Sequence, residues 1–219
     1  MATPEELYCP LTVITDESLP AARIEAIVGS ASRGGPIIVQ LRARGWSGRG
    51  IYSAAERLRE LTRQGGCKLV VHERVDVAIA VGADGVHLPA TGMPPRKVRA
   101  LLDAHARSHA TLGLSVHSID EIRRLDAAID TVHFGPVFPT PSKEGFGPPQ
   151  GIEGLRLAAE AAAANRVRIV AVGGITPERA VLALEAGADG VAVIRAVMGA
   201  VDPAAVVRAF ADAFKRVRT

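Results

Sequence analysis

The chain has 219 residues, 48% of them apolar and 22% charged, with a formal net charge of +3. This composition excludes a disordered tail and a collagen-like chain, and the length suits one large α/β domain or two small ones. No stretch approaches the ~20 apolar residues of a membrane span, and Met1 to Glu6 hold no apolar run that would read as a signal peptide.

Short runs rich in Val, Ile and Leu at 11–15, 37–41, 69–72, 85–88, 112–116, 131–138, 168–172 and 190–194 predict strands apolar on both faces. Helical patterns lie between them. Residues 21–30 carry Ile24, Ile27 and Val28; residues 51–64 carry Ala54, Ala55, Leu58 and Leu61, with Glu and Arg opposite. Residues 94–106 open on two prolines, suited to a first turn. Ser118 and Glu121 form a capping box ahead of 118–126, and 155–164 is rich in Ala. Thr176-Pro177-Glu178 supplies an N-cap, a first-turn proline and an acid ahead of Val181, Leu182 and Leu184. A last helix is expected over 204–217. This unbroken alternation, with no linker, predicts a compact (β/α)8 TIM barrel of the α/β class, one domain over 1–219. Gly-Ala-Asp-Gly-Val occurs at 82–86 and again at 187–191, each time leaving a helix and entering a strand. Recurrent turn chemistry explains that echo better than a duplication.

Charge narrows the partners. The only lysines are Lys68, Lys97, Lys143 and Lys215; the other cations are arginines spread along the chain, without the runs of a nucleic-acid tail. A cytoplasmic protein acting on small molecules is expected, with neither nucleic acid nor membrane as partner and a homodimer left open. Cys9 and Cys67 read as buried free thiols rather than a disulfide framework.

In a barrel of this kind the chemistry lies at the C-terminal strand ends. There the sequence places Asp16; Gln40, Arg42 and Arg44; His72 and Glu73; His87; Ser115 and His117; Thr140, Ser142 and Lys143; Gly173 and Gly174; and Ile194 with Arg195. Gly173-Gly174 precedes a helix start, where free N–H groups and the helix dipole attract anions, and the last two loops are the usual phosphate position of the fold. Arg42, Arg44 and Lys143 add direct charge. His117 is the candidate general acid/base, since histidine titrates near neutrality; the alternative is a mouth residue that only donates a hydrogen bond. His72 and Glu73 point to opposite faces of a strand and are not expected to share one ion. His87 and His133 read as packing or orienting residues, and Trp46 as a lid or a surface contact.

At these residues the chain resembles the thiamine phosphate synthase family, which includes related thiazole tautomerases. The matching stretches, over about 11–197, are QLRAR (40–44), VHERVDVA (71–78), GADGVHLP (82–89), GLSVHSIDE (113–121), FGPVFPTPSK (134–143), VGGITPE (172–178) and GADGVAVIRA (187–196). The resemblance implies a barrel that binds a thiazole phosphate. In the synthases an aminopyrimidine diphosphate loses diphosphate, and the thiazole nitrogen captures the resulting cation. By motif position, Gln40, Arg42, Arg44, Ser115 and Lys143 meet the aminopyrimidine diphosphate. Thr140, Ser142, Gly173 and Gly174 help hold the thiazole phosphate, and His72, Ile194 and Arg195 are further candidates for substrate or phosphate binding. Arg44 stands where the family usually has lysine and keeps the charge.

Two departures bear on the reaction. Synthases carry Asn-Asp where this chain has His72-Glu73, and an acidic Gly-Gln-Glu-Asp turn where it has Pro89-Ala90-Thr91-Gly92. Those two aspartates bind Mg²⁺. Glu73 is then the one metal candidate, because Gly92 has no side chain to offer. On that ground the expected reaction is the aromatising tautomerisation of thiazole carboxylate phosphate, with His117 as acid/base and no cofactor. The alternative is the synthase reaction with Mg²⁺. A third reading, from another class, is a non-catalytic phosphate-binding regulatory barrel, and a fourth, on fold analogy alone, is an enzyme of another sugar or heterocycle phosphate.

Overall fold

The computed structural model describes residues 10–140 and 148–218. Cys9, Ser142 and Lys143 lie outside them. The strands are β1 (Leu11–Ile14), β2 (Ile38–Leu41), β3 (Lys68–His72), β4 (Gly85–Leu88), β5 (Thr111–Val116), β6 (Thr131–Phe134), β7 (Arg168–Val172) and β8 (Gly190–Val193). All pair in parallel with their sequence neighbours, and β1 pairs with β8 to close the barrel. The (β/α)8 expectation is met.

Side-chain alternation divides the strands between two environments. Leu11, Val13, Val39, Leu41, Leu69, Val71, Leu112, Val132, Phe134, Ile169, Val191 and Val193 face outward and form one core with the helices. Their alternates face the lumen, where Ile14, Val170 and Ala192 make a small separate cluster. The expectation of strands apolar on both faces is met only on the outer face; the lumen mixes apolar residues such as Ile38 and Val70 with polar ones. Thr12, Gln40, His87, Thr111, Thr131 and His133 line a cavity of about 380 Å³. Gly113 is required beside His87, since a Cβ there would lie 2.6 Å from His87 Nδ1.

The helices are α1 (Ala21–Ser32), α2 (Gly48–Gln64), α3 (Val75–Val81), α4 (Pro95–Ala104), α5 (Ile119–Arg123), α6 (Gly151–Ala164), α7 (Pro177–Glu185), the short α8 (Arg195–Met198) and α9 (Pro203–Arg218). The expected caps form: Ser118 accepts from the Glu121 N–H, and Thr176 from the Arg179 N–H ahead of Pro177. Two elements were not anticipated. α3 is a seven-residue segment, apolar but for Asp76, and α8 is a single turn between β8 and α9. The sixth strand ends at Phe134 rather than at Phe138, because Pro136 has no N–H to extend the ladder.

The repeated pentapeptide has a mechanical role at the N-terminal end of the barrel. The Asp84 N–H donates to Leu69 O (2.7 Å) while its carboxylate accepts from Leu69 N (2.8 Å). Asp189 grips Ile169 in the same way, at 2.8 and 2.7 Å. Asp130, outside the pentapeptide, does so with Leu112 at 2.9 and 2.7 Å. Each aspartate thus clasps the strand before its own, at β3/β4, β5/β6 and β7/β8. Recurrent turn chemistry accounts for the echo, and it serves stability at the end remote from the chemistry.

Candidate active site

The parallel barrel brings every C-terminal strand end to one mouth, and the site candidates divide there between two arcs. The first spans β1 to β3. Gln40 lies on β2 with its side chain in the lumen and is 3% exposed. Just beyond, the Arg42 backbone is held on both sides by the buried Thr15 hydroxyl, which accepts from Arg42 N (2.9 Å) and donates to Arg42 O (3.1 Å). The Arg42 guanidinium pairs with Glu17 at 3.1 Å. Arg44 is exposed and donates through Nε to His72 Nε2 at 3.4 Å. His72 closes β3 and is 7% exposed. Burial above all, then the Arg44 and Arg42 charges, push its pKa down to about 4, so the ring is neutral at pH 7. Its Nε2 accepts, so Nδ1 carries the proton, and that buried N–H finds no partner among the described residues. The Trp46 Nε1–H donates to Glu17 O at 3.3 Å, and its ring packs partly against the core.

The second arc spans β6 to β8. A cavity of about 460 Å³ is lined there by Thr140, Gly173, Gly174, Arg179, Ile194 and Arg195, among others. Arg195 donates to Thr140 Oγ1 at 2.9 Å, so a cation and a hydroxyl meet across it. The two glycines are dictated by close approach. Phe138 N donates to Gly173 O at 3.1 Å, which draws the segment after β6 onto the turn after β7. A Cβ on Gly173 would lie 2.7 Å from Pro136 Cα; one on Gly174 (φ 64°) would lie 2.7 Å from Pro139 O. Arg179 was not foreseen. It reaches back from α7 to donate to Gly174 O (2.7 Å) and lies over the Phe138 ring at 4.8 Å, fixing the turn. Its place three residues past the Thr176 cap was the available signal.

Between the arcs lie the residues of β4 and β5. Ser115 Oγ is 2.9 Å from His87 Nε2. His87 packs against His133, with ring centroids 4.1 Å apart and the rings tilted by 37°. Both are buried, and burial first, then neighbouring histidines, hold both pKa values down: His133 at about 3, His87 well below the usual range. His117 is half-buried and donates from Nδ1 to Gly135 O at 2.9 Å, joining the ends of β5 and β6. Ser142 and Lys143 fall outside the described residues.

The residues present do not fit a two-carboxylate magnesium site. Glu73 is exposed at the end of β3 with φ 65°, and Gly92 closes a tight turn by donating to Pro89 O at 2.9 Å. Among the described residues no three His, Cys, Asp or Glu side chains gather as a metal cluster.

Comparison with known proteins decides the family. The family model for thiamine monophosphate synthase matches residues 11–197. The chain belongs to the thiamine monophosphate synthase family. A thiamine-phosphate synthase of Laribacter hongkongensis is 42% identical over 182 residues, covering 83% of each chain. One of a Roseiflexus species is 40% identical over 199 residues, 90% of this chain and 81% of that one. The solved thiamine phosphate pyrophosphorylase of Pyrococcus furiosus superposes with a TM-score of 0.82 at 34% identity, covering 95% of this chain and 96% of that one. The Laribacter and Roseiflexus relatives carry the synthase name, so the preference for tautomerisation drawn from Gly92 is corrected: the family comparison favours the alternative. No helix among the described residues is long and apolar enough to cross a membrane.

Proposed function

We propose that this chain is a thiamine-phosphate synthase: it joins the methylene carbon of a hydroxymethylpyrimidine diphosphate to the nitrogen of a thiazole phosphate and releases diphosphate. The observation that carries this reading is the division of the rim into two anion-directed arcs. A reaction with two anionic substrates uses both. An isomerisation of one thiazole phosphate leaves Arg42 and Arg44 without a task.

The Arg42–Arg44 arc binds the pyrimidine diphosphate. Gln40, with its amide in the lumen, and Ser115 meet the pyrimidine, and the neutral His72 offers a donor without adding charge. When the carbon–oxygen bond breaks, negative charge collects on the departing diphosphate, and guanidinium groups already facing it lower that barrier. The thiazole phosphate sits in the β6–β8 cavity, against Thr140, Arg195 and the Gly173-Gly174 turn, which leaves its ring nitrogen directed over the mouth. Lys143 and Ser142 act from the β6–α6 loop. The nitrogen's lone pair captures the cationic carbon, one C–N bond replaces one C–O bond, and no proton is transferred. His117 then holds the β5 and β6 ends together rather than acting as acid or base.

The reading is tested by mixing pure protein with both substrates and following thiamine phosphate and diphosphate together. Equimolar products that need both substrates are expected. Absence of diphosphate, with thiazole carboxylate phosphate aromatised instead, would return the chain to the tautomerases.

A further inference from the structure

We propose that Glu17, in the loop after β1, is a positioning residue for the diphosphate-binding arc; this rests on the synthase reading above. Two residues of that loop, Thr15 and Glu17, grip the loop after β2. Thr15 holds both backbone polar groups of Arg42. Glu17 Oε1 accepts from Arg42 Nη1 at 3.1 Å, and its Oε2 accepts from Gly45 N at 3.3 Å. The Glu17 carbonyl accepts from the Trp46 indole N–H at 3.3 Å. One carboxylate therefore fixes the guanidinium and the turn that carries Arg44, while the indole anchors the far end of the loop.

The geometry distinguishes a brace from a competitor. Arg42 uses one Nη1–H on Glu17, and a guanidinium carries five N–H donors in a fixed fork. The remaining donors stay available for phosphate oxygens. The side chains of Arg42 and Glu17 are both 29% exposed, so the pair sits at the rim, where its net charge energy is small and its geometric effect is what matters. Unbraced, a long arginine side chain must be ordered by the ligand itself, and that entropy is taken from binding. Glu17 thus acts on affinity for the diphosphate end of one substrate and leaves the other arc alone.

The test titrates inorganic diphosphate and, separately, thiazole phosphate into the wild type, Glu17→Ala, Glu17→Gln, Arg42→Ala and the Glu17→Ala/Arg42→Ala double variant, with steady-state kinetics alongside. Glu17→Ala should weaken diphosphate about tenfold and raise KM for the pyrimidine diphosphate, with kcat and thiazole phosphate binding little changed. Glu17→Gln, which keeps an acceptor for Gly45 N or Arg42, should recover part of the loss. In the Arg42→Ala background, Glu17→Ala should have a smaller effect, the part carried by the Gly45 contact that orders the Arg44 turn. Diphosphate binding by Glu17→Ala that equals or exceeds the wild type overturns the brace, as does equal weakening of both ligands. A wild type that binds no diphosphate strikes the synthase reading itself, a result separate from those two.

Discussion

Acid should destabilise this protein through the histidines inside its barrel, and His133 gives the effect a size. It is 8% exposed, and burial, aided by His72, holds its pKa at about 3. In the unfolded chain it titrates near 6.5. A folded pKa below the unfolded one leaves stability intact above pH 6.5. As pH falls further, the unfolded chain takes up a proton that the native state refuses, and stability is lost until about pH 3. The slope approaches about 1.4 kcal/mol per pH unit, so the loss from pH 7 to pH 5 is about 2 kcal/mol from this residue. His87, depressed for the same reasons, acts in the same direction. Urea unfolding of the wild type and His133→Asn at pH 7, 6 and 5 and constant ionic strength measures it. The variant's stability deficit at pH 7 should shrink by about 2 kcal/mol at pH 5. Parallel pH profiles for the two proteins would refute the claim that His133 is neutral in the native lumen.

Other predictions follow from the clasp and the mouth. Asp189→Ala leaves the Ile169 N–H without its carboxylate acceptor; it should cost about 1–3 kcal/mol, and Asp189→Asn should restore most of it, read by thermal unfolding. His117→Asn should lower the coupling kcat less than about tenfold, whereas a general acid/base would lose roughly 100-fold or more.

The alternation of elements was legible because outward strand residues and helix faces share one apolar core. What was not legible depends on register. Glu17 and Arg42 are joined because β1 and β2 pair Ile14 with Gln40, and nothing in either segment alone announces that match. α3 escaped because Val75–Val81 is only seven residues long and mostly β-branched or Ala, too short to display a helical period. The Gly173-Gly174 turn was legible as a phosphate candidate, but its cause, the crowding by the 136–139 segment, is tertiary. Gly92 pointed to tautomerisation because one missing carboxylate outweighed the retained Gln40 and the Pro-Thr-Pro-Ser-Lys stretch at 139–143.

Crossed binding on two variants bears most directly on the two-arc site. Arg42→Ala and Gly174→Ala are each titrated with inorganic diphosphate and with thiazole phosphate. Arg42→Ala should weaken only diphosphate. Gly174→Ala, whose Cβ would sit 2.7 Å from Pro139 O, should weaken only thiazole phosphate. If both variants impair both ligands to the same degree, the mouth holds a single anion site and the two-substrate account fails.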